Sequence, residues 1–455
     1  MLLSGSVAGH LLRMSGSMMI GFLAGAAYNI TDTYFVSRLG TVPLAAMGFT
    51  FPIVMVVHGL VMGLGIGAAS VLSRMIGRGD QQGVRRMTMH ALYLGLFLTG
   101  LLIVVGYLLL EPIVVLMGAS DEILPLTLAY MRIWLAGMLF LVVPMIGNNA
   151  IRATGDTLSP SIIMSADLLL NMALDPLFIF GWGPMPAMGI EGAALATVLA
   201  RSVALLASLY ILGRRKHMLT FRRPLLAGIF VSWRQIAFVG MPAAATNIMT
   251  PLAMGIITHI ISGFGAAAVA AMTAGMRIEH VVVIPIIALG ASMVPFVGQN
   301  WGGGLMTRVI DAQKMAYRFS IVWGMTCLLF LNSLAEQVAG LFTEDPAVLF
   351  ALSLYLVIMP LAFGFRGMAM SSMGTLNAVN RPFDAAFNTV VRLFAMQWPL
   401  ALLGARLYGF TGVLLAMLLT DVLAALVSVV WVFVLLRRAE RNAATLSAET
   451  TFPGC

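Results

Sequence analysis

The chain reads as an all-α polytopic membrane protein, with about twelve transmembrane helices in two pseudo-symmetric six-helix bundles. Three observations predict this. Hydrophobic residues make up 60% of the chain and charged residues only 10%, more apolar surface than one water-soluble core can hide. The apolar residues fall into stretches of about 20 or more, the length a helix needs to cross a bilayer, without the alternation of a barrel strand. Slid against itself by 225 residues, the sequence matches: Leu44-Ala45-Ala46-Met47 falls on Val269-Ala270-Ala271-Met272, Gly40 on Gly265, Gly77 and Gly79 on Gly302 and Gly304, and Ala153 on Ala378. After small slips Asp175-Pro176 falls on Trp398-Pro399, and Gly189, Gly192 and Ala196 on Gly409, Gly412 and Ala416.

Taken in order, the predicted spans are 9–36, 44–73, 87–110, 122–150, 159–182 and 188–213 in the first half, then 235–262, 266–297, 315–334, 347–376, 383–404 and 409–436 in the second. Residues 1–212 form an N-terminal lobe, 213–234 a cytoplasmic linker, 235–436 a C-terminal lobe and 437–455 a cytoplasmic tail. A repeat this long is a duplicated helix bundle rather than a solenoid, the plan on which many secondary transporters build a site between two halves.

Orientation follows from the basic residues. Arg74, Arg78, Arg85 and Arg86 in one connection, Arg214, Arg215, Lys216, Arg222, Arg223 and Arg234 in the linker, Arg308, Lys314 and Arg318 in a third, and Arg437, Arg438 and Arg441 in the tail mark the cytoplasmic side. The alternate connections carry Glu111, Asp121, Glu122, Glu336, Glu344 and Asp345, with Arg38 and Arg406 as basic exceptions, so both termini are expected in the cytoplasm. The net charge of +8 is thus a topology signal. Nucleic-acid binding would need these arginines on one soluble face interleaved with aromatics.

The N-terminus has a single basic residue, Arg13, and no small-residue cleavage site after a short apolar core, so 9–36 reads as a retained first span. Cys327 and Cys455 are too few for a disulfide framework or metal cluster. No nucleotide-binding, protease or dinucleotide motif is present, so no cofactor is expected and the chain is not expected to be an enzyme. Energy must come from an ion gradient or from the substrate itself.

Charges within spans are therefore the informative residues, because each is expensive in lipid. Asp167 and Arg201 lie at similar depth on adjacent spans and are expected to pair; Arg392 and Asp421 hold nearly the same places in the second half with the signs exchanged. Matched structural ion pairs are the expected reading of these four, with a role in transport as the alternative. Asp32 and Asp175 differ: neither has a basic helical neighbour, and Asn29 and Asn171 stand one turn before them. A carboxylate in a low-dielectric cavity with an amide beside it takes a proton or collects a cation. The alternative is that both cap helix ends at the outer interface. A membrane enzyme using them as acid and base would need them within about 5–10 Å of each other, and would leave the duplication unexplained.

Tyr28-Asn29-Ile30-Thr31-Asp32-Thr33 with Arg38-Leu39-Gly40, Gly77-Arg78-Gly79-Asp80, Arg152-Ala153-Thr154-Gly155-Asp156, Asn171 to Phe178, Gly192 to Thr197 and Val297-Gly298-Gln299-Asn300 together resemble the multidrug and toxic compound extrusion (MATE) family, over nearly the whole chain and in order. The resemblance implies two six-helix lobes opening alternately to each side of a bacterial cytoplasmic (inner) membrane, and export of organic, often cationic drugs or toxins in exchange for H+ or Na+. Sodium is the only metal ion that enters, and neither nucleic acid nor an obligate protein partner is implied. An acid in the first span with Asn-x-x-x-Asp in the fifth resembles the DinF-like and archaeal branch, which assigns cation coupling to Asp32, Asn171 and Asp175, with Tyr28, Asn29 and Thr197 as neighbours. The NorM-like branch places acids in the seventh and tenth spans, and this chain has none there. Relatives commonly carry a proline about fifteen residues before the first acid; Ser17 stands here, leaving Gly16, Gly21 and Gly25 for bending.

Arg277-Ile278-Glu279-His280 in the eighth span offers a weaker substrate site: Glu279 would meet a cationic compound, or be neutralised locally by Arg277 and His280. The 34 methionines suit a cavity wall that repacks. A flippase of a lipid-linked oligosaccharide is the alternative within transport, and would meet pyrophosphate with Arg277 and Arg366.

Overall fold

In the computed structural model residues 2–182, 185–220 and 226–451 are described, with side chains to Arg441; Arg222, Arg223 and Cys455 lie outside these. The described residues are helical, without a strand. The first half holds α1 (Val7–Ser37), α2 (Thr41–Gly77), α3 (Gln81–Leu116), α4 (Ile123–Ala136), α5 (Met138–Ala153), α6 (Leu158–Ile179) and α7 (Ile190–Tyr210), the last running into a π-helical turn at Ile211–Arg215. The second holds α8 (Ile229–Ser262), α9 (Ala266–Val282), α10 (Ile284–Gly302), α11 (Met306–Ser333), α12 (Ala335–Gly340), α13 (Pro346–Ile358), α14 (Pro360–Ala378), α15 (Pro382–Val390), a π-helical turn at Val391–Gln397, and α16 (Trp398–Thr451).

The spans are fewer as unbroken helices than the sequence suggests. Among the described residues eight stretches are long and apolar enough to cross a membrane alone, and three pairs, α4 with α5, α9 with α10 and α13 with α14, cross only as bent spans, at 49°, 50° and 47°. Pro285 and Pro360 begin α10 and α14 and remove the backbone donors that would carry the preceding helix through. The last long stretch reverses at Tyr408 and Gly409, where φ of 60° at the glycine breaks α16, so that stretch supplies two spans.

Two pairs of glycines show the duplication in the backbone. Gly79 and Gly304 have φ of 76° and 74°, and Gly189 and Gly409 have 58° and 60°, so each left-handed turn is repeated where the sequence repeats.

Packing divides the chain into two compact units: Ser17–Ile76 with Asp80–Ala244, and Met1–Gly16 with Gly77–Gly79 and Ala245–Cys455. The second unit claims the start of α1 because Leu2, Leu11 and Met14 sit in a core with Met293, Phe296 and Val297. Its backbone is tied there too: Leu2 N donates to Gln299 Oε1 at 2.9 Å, and Arg308 reaches the carbonyls of Leu2 at 3.0 Å and Gly5 at 2.8 Å. A second core in that unit gathers Ile257, Leu352, Tyr355 and Phe363. The outward surface stays apolar, with Leu108, Val322 and Phe350 each more than 60% exposed, as a face that meets lipid tails requires.

Candidate coupling and substrate sites

The first unit brings together side chains from α1, α4, α6 and α7. Asn171 and Asp175 lie one turn apart on α6, both fully buried, and Asn171 Nδ2 donates to Asp175 Oδ1 at 3.0 Å. On α1, Tyr28 donates its hydroxyl to Thr197 Oγ1 of α7 at 3.0 Å, and Asp32 is buried a turn further on. Asp32 and Asp175 interact electrostatically. Each has an oxygen with no partner: Asp32 Oδ1 and Asp175 Oδ2 are buried and unbonded, as is Asn171 Oδ1. A buried carboxylate left this way is unstable as an anion unless a proton or a cation meets it, and the free oxygens are hard donors of the kind alkali cations use.

Two of the expected neighbours are placed otherwise. Asn29 is exposed, and its amide donates to Gly25 O at 3.2 Å rather than turning to Asp32. Asp167 and Arg201 form no ion pair within 4.0 Å, and Asp167 Oδ1 is buried without a partner. The reason is competition for the guanidinium: Arg201 lies 5.5 Å over the Tyr28 ring, where its field reaches Asp32 as well as Asp167. Tyr130 of α4, buried and within electrostatic reach of Asp32, Asp175, Tyr28 and Arg201, is an addition to the cluster. The sequence signal for it is a lone phenol within an apolar helix.

The second unit uses its charges differently. Arg392, aimed by the π-helical turn, bonds Asp421 Oδ1 at 2.8 Å, and Arg366 bonds Asp421 Oδ2 at 2.7 Å through Nη2. Arg366 Nη1 also holds Glu279 Oε1, and Tyr355 donates to Glu279 Oε2 at 2.5 Å. Two acids and two arginines thus close a neutral network across α9, α14, the π-turn and α16. Glu279 is neutralised from another helix by Arg366, not by Arg277 or His280, which lie exposed on α9. The same bonds occupy Arg366, leaving Arg277 without its companion as a pyrophosphate site. Among the described residues no group of three or more His, Cys, Asp or Glu is placed to hold a metal ion.

The MatE family model matches residues 17–177 and again 242–403, most of the chain and once in each half. The chain belongs to the MATE family. As a MATE protein it is a multi-pass membrane transporter rather than an enzyme. It is 37% identical to the FAD transporter of Shewanella oneidensis, over 93% of each chain. It is 25% identical to the multidrug export protein MepA of Staphylococcus saprophyticus, over 97% of each. Among solved structures, the Vibrio cholerae MATE transporter VcmN in its bent form superposes with a TM-score of 0.90 at 30% identity, over 95% of this chain and 97% of that one.

Proposed function

We propose that this MATE-family transporter is a cation-coupled exporter working by alternating access, with 1–212 and 235–436 as its moving lobes and 213–234 as the cytoplasmic linker. It resides in the bacterial inner membrane with both termini in the cytoplasm. H+ or Na+ entering from outside binds at Asp32 and Asp175, with Asn171, Tyr28 and Thr197 supplying neutral oxygens. Its release on the inner side readies the protein to load an organic compound. The observation that carries this is the pair of orphaned oxygens, Asp32 Oδ1 and Asp175 Oδ2, in one buried cluster. Coupling requires the cation to bind the two access states unequally, and a cluster with more carboxylates than cations gives it that leverage.

A second reading concerns cargo. The relative at 25% identity is a multidrug export protein, whereas the relative at 37% is a FAD transporter, so flavin dinucleotide belongs beside cationic drugs as a candidate substrate. The test is exchange in proteoliposomes with pH and Na+ gradients imposed separately. Either gradient should drive ethidium against its concentration in the unsubstituted protein and fail to do so in Asp32→Asn; accumulation by that variant under the same gradient would refute the coupling role.

A further inference from the structure

One more charged side chain in the first unit lacks a counter-charge, and the cluster around Asp32 makes no use of it. Arg152 stands in the last turn of α5. Its guanidinium carbon lies 5.8 Å over the ring of Phe22 on α1, and Nη2 donates to Met164 Sδ on α6 at 3.4 Å. Three helices therefore fix one planar cation while offering it almost nothing to bond. A thioether is a weak acceptor. Nε is buried with no hydrogen-bond partner, and no carboxylate among the described residues lies within 4.0 Å of the side chain. The acid nearest in sequence, Asp156, is committed to Lys216 at 2.7 Å and to Ser159.

The arginines deep in the spans are handled otherwise. Arg366 and Arg392 are neutralised by Glu279 and Asp421, and Arg201 is shared between Asp32 and Asp167. A held arginine with open donors matches the oxygens of a phosphate in a two-pronged fork. Arg152 is only partly buried, so an entering anion can reach it. Met164 and Asp175 share one stripe of α6, and at 1.5 Å per residue they stand about 16 Å apart along the helix. An anionic group at Arg152 and a coupling cation at Asp175 would occupy opposite ends of one face.

We propose that Arg152 is the contact for phosphate groups of the transported substrate, so that the cargo of this protein includes organic phosphates of the dinucleotide class. This deepens the exporter reading above and rests on it.

The test is equilibrium binding to the purified full-length protein in a neutral detergent, with FAD and riboflavin as probes that share a ring system and differ in the phosphates. FAD should bind at least about tenfold tighter than riboflavin, and inorganic pyrophosphate should compete with FAD alone. Arg152→Gln should bring the FAD-to-riboflavin affinity ratio close to one, and Arg152→Lys, which keeps the charge without the fork, should hold part of it. A packing residue would instead weaken both flavins together and leave the ratio intact, which would overturn the proposal, as would equal binding of the two by the unsubstituted protein. Phosphatidylglycerol added to the detergent separates the two sources of phosphate. If Arg152→Gln alters retention of that lipid and leaves the flavin ratio unchanged, the site is a headgroup site and the proposal fails. Ethidium exchange by the unsubstituted protein is read separately, so loss of the coupled-transport reading is not confused with loss of this one.

Discussion

Asn171 Nδ2 donates to Oδ1 of Asp175 across one turn of α6 at 3.0 Å, while Oδ2 of the same carboxylate is buried with no partner. The amide thus meets half of the carboxylate's needs and leaves the other half for a mobile ion. Asp175→Asn removes the uncompensated charge and keeps the shape. It is expected to leave stability equal or raised, because replacing a poorly satisfied buried charge by a neutral group relieves desolvation, while abolishing ion-driven ethidium accumulation. Asn171→Ala should lose about 1–3 kcal/mol by stripping a buried acceptor of its donor. Thermal unfolding in detergent beside proteoliposome exchange checks both.

In the second unit the sign of the effect reverses, because Arg366 is the centre of a satisfied network. Arg366→Ala strands Glu279 and leaves Asp421 with Arg392 alone, and removal of one partner from a buried pair costs about 3–5 kcal/mol. Glu279→Gln keeps an acceptor for the Tyr355 hydroxyl and leaves the Arg366–Asp421 bonds in place, so it should cost less. Equal melting temperatures for the two variants would show that the four charges do not act as a unit.

What the sequence disclosed and what it hid divide along a physical line. Span count and duplication were legible because hydrophobic length and left-handed glycines are local properties. Gly189 and Gly409 take the same left-handed φ, 58° and 60°, at matching places in the repeat. The helix breaks at Val283 and Met359 were hidden, since the apolar run continues through them and only Pro285 and Pro360 mark the place. At the candidate site, Asn171 beside Asp175 was legible as an i, i+4 pair on one helix. The partner of Glu279 was not, because Arg366 comes from 87 residues away, and Asn29 shows that the same spacing on α1 need not turn an amide toward its acid. In the repeat, Asp32 and Asp175 fall on Ile257 and Trp398, and the charges of the second unit close on one another instead.

Glycines test the close packing separately from the charges. A Cβ at Gly192 would run into the Phe178 carbonyl and lie 2.9 Å from Ile179 N, whereas at Gly16 it would meet nothing within 4 Å. Gly192→Ala should destabilise by about 1–3 kcal/mol, since backbone has to move. Gly16→Ala should stabilise by about 0.5–1 kcal/mol through helix propensity. The division between the two compact units falls between Gly16 and Ser17 within α1, so a stiffer residue there should also slow exchange, and single-turnover efflux rates read that independently of the melting curve.

Asp156 sets the acid limit of the connection between α5 and α6. Burial pushes its carboxyl up, but the Lys216 ammonium at 2.7 Å and two hydrogen bonds from Ser159 outweigh burial and hold it below the usual carboxylate range. A carboxyl held lower in the folded state than in the unfolded chain contributes stability that is fully present above its unfolded value, near 3.9, and is lost as pH falls through the lower folded value. Asp156→Asn should therefore be less stable than the unsubstituted protein by about 1 kcal/mol at neutral pH, and the difference should close only below about pH 4. Melting temperatures of the two proteins from pH 7 down to pH 3 check this. A gap that closed between pH 5 and 7 would point to a histidine rather than to Asp156, and a gap constant to pH 3 would mean that the loss does not come from the charge of the Asp156 carboxylate.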